Sequence, residues 1–366
     1  MDYVYDTESF LAGVAVGRNM ESWPAMQGIS VFKFTVQVSA GLFQGPWVVF
    51  DGTISWGDGR SDDFDNIPAN YTENESYRNQ ISHSYAAAGT YQIEMVGRLL
   101  DWSTTRSSAI LSGNSYLISI DTPFPRSMEH KTYLTACCYY SSALVKLPAK
   151  PFRHLHQLQR IYRFCYRCSS LQALPPRLFE GCKSLTDVRQ AFMNCDIRSV
   201  PADLFAGSPA IETAAGVMSY NSHLTEIPAG LLDPLQNLKT APGFNSLGIT
   251  TLPEYLFVNC PDIDTFDNLC YSSTSFREIP ADLFSYNPGA TSFQGAFGRT
   301  AIEEIPADLF DDCPLASNFR QCFADCTSLT GAVPELWVQF PAADGTECFR
   351  GCTGAANYAD IPDEWK

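Results

Sequence analysis

Positive charge is what this chain has least of. Its 366 residues carry 24 Lys+Arg against 40 Asp+Glu, a formal net charge of −16. A protein that grips a phosphate backbone needs clustered Lys and Arg, so nucleic acid is not an expected partner. The same balance opposes attraction to anionic membrane surfaces. No apolar stretch approaches the roughly 20 residues of a bilayer span; the one near the start, Phe10 to Val16, is far shorter. Asp2 and Asp6 stand where a secretory leader carries positive charge, so folding in a reducing cytoplasm is expected. Also missing are G-x-S-x-G, a phosphate-binding glycine loop, H-E-x-x-H and a dinucleotide fingerprint. The expectation is a non-enzymatic protein with no cofactor and no metal.

Apolar residues, at 45%, are enough to build a core, while 24 glycines and 23 prolines promise many turns. The length suggests two or three domains. An odd count of 13 cysteines reads as free, buried thiols rather than a disulfide framework. Residues 1–27 open with Thr7 or Ser9 as a helix cap, then Phe10, Leu11, Val14 and Arg18 at helical spacing. This predicts an N-terminal helix, read either as packed on its own domain or as an anchor that docks into a larger assembly, with Trp23 beyond it.

From residue 28 to 121 the pattern changes to period two. Phe32, Phe34, Val36 and Val38 share one face of a strand. Further strands are expected at Trp47–Phe50, Thr53–Trp56, Thr90–Val96 and Tyr116–Ile120. The turn Trp56-Gly57-Asp58-Gly59 and the later His83, Tyr85, Gly89 and Tyr91 resemble the signature of a PKD-type domain, which implies an Ig-like β-sandwich. In that family these positions are structural, so Asp58 and His83 are not taken as a catalytic pair. The acidic insertion from Ser61 to Asn79, with Asp62, Asp63 and Asp65, is read as a surface loop, with cation binding as the alternative.

The rest of the chain repeats. After residues 122–142, a linker and cap, residues 143–366 carry the frame L-x-x-I-P-x-x-L-F at Leu171–Phe179, Ile197–Phe205, Leu224–Leu232, Ile249–Phe257, Phe276–Phe284 and Ile302–Phe310, with a looser copy at Leu329–Trp337. The prolines 148, 175, 201, 228, 253, 280, 306, 334 and 362 recur every 25 to 28 residues, which means a solenoid. L-x-x-I is expected to be a short strand, the proline to start a helical turn, and a second phase such as Leu185–Cys195 to complete the coil. The two phases resemble the BspA-like, or Treponema-type, leucine-rich repeats. The fold class is therefore mainly β with short helices: an N-terminal helix, an Ig-like sandwich and a leucine-rich-repeat solenoid.

Cys165-x-x-Cys168 with His154 and His156 permits a zinc reading, but the repeat accounts for Cys168 and most other cysteines as small buried apolar residues. The two x positions of L-x-x-I should face outward as a polar ladder: Gln172-Ala173, Arg198-Ser199, Thr225-Glu226, Thr250-Thr251, Arg277-Glu278 and Glu303-Glu304. It suits a glycan or a protein with basic patches, and is otherwise an ordinary solvated face.

The opening F-L-x-G-x-A-V-G-R…W pattern, from Phe10 to Trp23, resembles the start of proteins in phages of gut bacteria. That resemblance implies a virion protein made in the host cytoplasm. It would be a tail or head fibre or a decoration protein, attached to other virion proteins through its N-terminus and binding host-surface glycan or protein through its repeats. A homo-oligomer is compatible with this. The alternatives are a purely structural virion component and a bacterial cell-surface adhesin.

Overall fold

The computed structural model describes residues 29–105 and 114–366. The expected N-terminal helix, with Phe10, Leu11, Val14, Arg18 and Trp23, lies outside the described residues.

Six antiparallel strands build the first unit: β1 (Ser30–Val38), β2 (Gly41–Ser55), β3 (Ser61–Asp65), β4 (Asn79–Tyr85), β5 (Gly89–Ser103) and β6 (Leu117–Ile120). The predicted alternation of β1 holds, with Phe32, Phe34, Val36 and Val38 buried. Trp47–Phe50 and Thr53–Trp56, expected as two strands, merge into the long β2. All six belong to one hydrogen-bonded network, ordered β3-β2-β5-β1-β6 with β4 also on β2. The network curls over itself. Phe32 pairs with Met95 on β5, and Trp102 lies about 23 Å further along a straight strand. Yet the Phe32 and Trp102 rings are 5.6 Å apart. Register shifts at Gln44/Trp47 and Val49/Phe50 supply the bend. So does the facing pair Gly52 and Gly97, where a Cβ on either would stand under 2.4 Å from the opposite carbonyl.

The solenoid begins on the edge of this sheet. β6 pairs with β1 on one side, and on the other Ser119 bridges Lys146 in parallel, with Val145 N–H donating to Ile118 O at 2.9 Å. An edge strand that would otherwise offer unpaired backbone groups is covered. The apolar interior is continuous across the junction: Phe124 stacks on Phe32 at 5.4 Å and on Phe152 at 6.0 Å.

The continuous parallel ladder of the solenoid is not in L-x-x-I. It runs through the second phase: Tyr133, Arg160, Asp187, Thr213, Thr240, Thr265, Ser292, Asn318 and Asp344 bridge in succession. Just beyond, alternate N–H groups donate to the next coil, as Ile161 to Asp187 O, Arg163 to Arg189 O, Cys165 to Ala191 O and Arg167 to Met193 O, at 2.7–3.1 Å. The L-x-x-I phase keeps one bridge, Ala173 to Ser199, and isolated bonds such as Arg198 N–H to Gln172 O. The reason is steric. Successive strand residues point to opposite faces, so residues three apart cannot both point inward from a strand. Leu171 and Leu174 are both buried, which demands a turn. The proline phase makes the expected single turn, as Leu204 N–H to Pro201 O at 3.1 Å, and goes no further. Among the described residues the longest helix is α1 (Leu336–Gln339), of 4 residues. It and Trp365, whose carbonyl accepts from Phe349 N–H at 2.8 Å, close the last coil.

Candidate functional site

The L-x-x-I stripe carries the exposed residues. In each of six consecutive coils the two apolar residues of the frame are buried and the two between them are exposed. Gln172, Ala173, Arg198, Ser199, Thr225, Glu226, Thr250, Thr251, Arg277, Glu278, Glu303 and Glu304 therefore stand in two files on one side of the molecule. Neighbouring coils of a parallel stack lie about 4.8 Å apart, so the stripe is a dense, fixed array. Some of it is already paired within the chain. Arg198 bonds Asp196 at 2.9 Å, and Arg277 reaches Glu303 at 3.4 Å across one coil.

The residues quoted for the PKD-type signature come together as a structural cluster. Trp56 and His83 stack at 4.7 Å, 7° from parallel. His83 Nε2 lies 2.9 Å from Asp58 Oδ2, and Tyr85 OH donates to Trp56 O at 2.9 Å. That hydrogen bond to His83 holds the Asp58 carboxyl below its ordinary value. Both partners sit against the sheet around the turn of Gly57 and Gly59, whose φ values are +80° and +88°. The acidic insertion divides. Asp62 accepts from Trp56 Nε1 at 2.7 Å and Asp63 from Thr53 Oγ1 at 2.9 Å, whereas Glu73 turns inward to Lys131 at 2.9 Å.

All 13 cysteines are free and buried. Burial pushes the thiols of Cys182, Cys260 and Cys313 up to about 12. The residues suggested for zinc are not brought together. Cys168 Sγ points at Cys138 O at 3.1 Å, and His156 bonds Gly181 O at 3.0 Å. Among the described residues no three His, Cys, Asp or Glu side chains converge on a metal position.

The cysteines have a chemical role that their burial alone does not reveal. In one phase Cys168, Cys195, Asn221, Ser273, Cys326 and Cys352 each donate to an inward-turned carbonyl of the preceding coil, at 2.9–3.1 Å. Ser208 does the same in a second phase, reaching Phe179 O at 2.7 Å. Sequence alone hides this ladder because its members are of three residue types. The interchange of Cys, Ser and Asn at one phase is the signal that marks it. Cys195→Ser should therefore change stability by less than about 1 kcal/mol, while Cys195→Val should cost about 0.5–1.5 kcal/mol more than the serine variant, because the Cys165 carbonyl loses its side-chain donor and keeps only the Cys168 N–H at 3.2 Å. Urea unfolding midpoints would show it, and a valine variant as stable as the serine variant would refute the donor role.

A second surface escaped the sequence reading. Residues 126–198 hold 12 basic and 4 acidic side chains, a net of +8, and leave 12 against 36 for the rest. An overall −16 conceals a cationic island on the first coils.

The fold thus defines a repeat solenoid of leucine-rich type capping a curled antiparallel sheet. No family model matches the chain, and no curated protein matches it. Among solved structures it is similar to a TLR13–ssRNA13 complex (14% identity over 61% of this chain and 35% of that one, TM-score 0.41). It is also similar to a leucine-rich cell surface protein from Faecalibacterium prausnitzii (14%, 67% and 78%, 0.29) and to an internalin from Listeria monocytogenes (12%, 63% and 75%, 0.24). The chain spans about a third of the length of the first of these. Among the described residues no helix is long and apolar enough to cross a membrane.

Proposed function

We propose that this is a non-enzymatic recognition protein that binds host-surface glycan or protein through the exposed stripe of its repeats. In this reading it belongs to a phage particle, as a tail or head fibre or a decoration protein. Its N-terminal segment, with Phe10, Leu11, Val14, Arg18 and Trp23, attaches it to other virion proteins. The observation that carries the binding role is the stripe itself. Six consecutive coils offer the same two outward positions, filled mainly with hydrogen-bonding side chains, on a backbone cross-linked coil to coil. A rigid file of polar groups loses little conformational entropy on binding. The virion placement is supported by the Phe10–Trp23 pattern and by 13 reduced thiols inside the core, which fit assembly in a reducing cytoplasm.

Replacing Arg198, Arg277 and Glu303 together by alanine should lower adsorption of the purified protein to intact gut-bacterial cells by about tenfold or more, the loss of one or two contact residues' worth of binding. Unchanged adsorption would refute the stripe as the binding surface. Absence of binding by the unaltered protein to every host tested would favour a purely structural virion role, and detection on the surface of a bacterium that makes it would favour an adhesin.

A further inference from the structure

The cationic island has a built centre. Arg160, Arg163, Arg167 and Arg189 project from the second-phase segments of adjacent coils, in a different part of the coil from the L-x-x-I stripe. Their backbone explains the crowding. Arg163 and Arg167 have φ of +55° and +60°, in the left-handed region, so the chain turns sharply at each.

Tyrosines form the floor. Tyr139 stacks on Tyr166 at 5.2 Å, 5° from parallel. Arg163 lies 4.8 Å from the Tyr162 ring centre and 5.3 Å from that of Tyr166; Arg167 lies 5.1 Å from that of Tyr140. Arg189 lies 5.7 Å from the Tyr162 ring centre. The guanidinium planes are thereby oriented before any ligand arrives. Their charge is under-compensated. Arg160 and Arg189 share one carboxylate, Asp187, at 3.2 and 2.8 Å. Arg163 bonds the amide oxygen of Gln190 at 2.8 Å, and Arg167 the hydroxyl of Tyr140. Among the described residues neither Arg163 nor Arg167 makes an ion pair with a carboxylate.

We infer that this Tyr–Arg platform binds an acidic polysaccharide, the carboxylate or sulfate groups of neighbouring sugars meeting Arg160, Arg163 and Arg167 on one coil and Arg189 on the next. The uncompensated charge of the platform favours an anionic ligand. The ring faces decide between polyanions: they are covered by one another and by guanidiniums, so bases have little open aromatic face on which to stack. The coil repeat of about 4.8 Å is close to the rise of one pyranose in an extended polymer, so anionic groups on neighbouring sugars can meet Arg163 on one coil and Arg189 on the next. Sugars also present hydroxyls to Gln190 and Asn194 on the neighbouring coil. This deepens the recognition reading above but uses a different surface, and the two can fail separately.

The test is titration calorimetry of the full chain with polygalacturonate, with dextran as the neutral polymer and poly(U) as the nucleic acid. The unaltered protein should bind polygalacturonate, more weakly as salt is raised, and should not bind dextran. Arg163→Gln with Arg167→Gln should weaken binding about tenfold or more, and Arg163→Lys with Arg167→Lys should fall between, since lysine keeps charge but loses the planar stack. The Arg198, Arg277 and Glu303 triple variant should bind polygalacturonate normally even if it no longer adsorbs to cells. Lack of binding by the unaltered protein, equal binding by the glutamine variant with an unchanged circular dichroism spectrum, or tighter binding to poly(U) would each overturn the proposal.

Discussion

Asp101→Asn is expected to destabilise the protein by about 3–5 kcal/mol, the cost typical of removing one partner from a buried charge cluster. Asp101 is wholly buried on β5 and receives Arg78 through Nε at 3.1 Å and Nη2 at 3.2 Å, and Lys131 through Nζ at 3.2 Å. Lys131 is itself fully buried and also meets Glu73 at 2.9 Å. Glu73 in turn accepts from the Thr132 and Tyr133 backbone N–H groups. The cluster ties three parts of the chain together: the sheet, the insertion after β3, and the start of the solenoid. With asparagine, two buried cations lose their shared anion. The same site sets an acid limit. Burial alone would raise the Asp101 carboxyl, but Arg78 and Lys131 outweigh it and hold it below its ordinary value. The stabilisation is thus present above the unfolded carboxylate value of about 4 and is lost as pH falls through the lower folded value. Guanidinium unfolding at neutral and acid pH, followed by the fluorescence of neighbouring Trp102, measures both effects. The variant should be less stable at neutral pH and should lose less on acidification. Glu94→Gln, at the half-exposed Lys33–Glu94 pair of 3.0 Å, should shift stability by less than about 1 kcal/mol. An Asp101→Asn variant as stable as Glu94→Gln would refute the role given to the cluster.

None of the Asp101 cluster was legible in advance. Glu73, Arg78, Asp101 and Lys131 lie in separate segments and follow no motif, so only the fold reveals that they meet. The solenoid was legible because its prolines keep a period and its apolar residues keep a phase. The position of its ladder was not, because L-x-x-I was read as a strand although its inward residues are three apart. The sharp turns were hidden for another reason. Positive φ is usually marked by glycine or asparagine, but here Arg163, Gln190, Gln321 and Glu347 occupy such positions. The inter-coil hydrogen bonds on either side offset the local strain, so side-chain identity is released, and glycine marks the phase only in some coils, at Gly216 and Gly295. The outward stripe was correctly placed on the surface, since burial of the flanking Leu and Ile leaves its residues nowhere else to go. The Tyr–Arg platform was missed because net charge averages over the chain.

Phe293→Ala should be as damaging as the loss of Asp101, but its effect should stay local. Phe293 sits between Phe266 and Phe319 in a parallel stack at 5.5 and 5.6 Å, with Phe284 and Phe310 against it at 4.9 Å on both sides. All five rings are buried. Truncation removes a ring from a column that cannot close up, because each coil is pinned to the next by backbone hydrogen bonds such as Phe293 N–H to Asn318 O at 2.8 Å. Cavity formation of this kind costs about 3–5 kcal/mol. In a globular core that loss spreads to the whole domain. In a solenoid each coil contacts only its neighbours, so stability is close to a sum of coil and interface contributions. The coils around residues 266–319 should therefore open first, while the curled sheet and the first coils, held by the Asp101 cluster and the Phe124 stack, stay closed. Hydrogen exchange read by mass spectrometry would show protection lost in that central block and retained in residues 30–103. Uniform loss of protection along the chain would mean that the solenoid unfolds as one unit with the sheet, and that the shared core at Phe124, rather than coil-to-coil contact, governs its cooperativity.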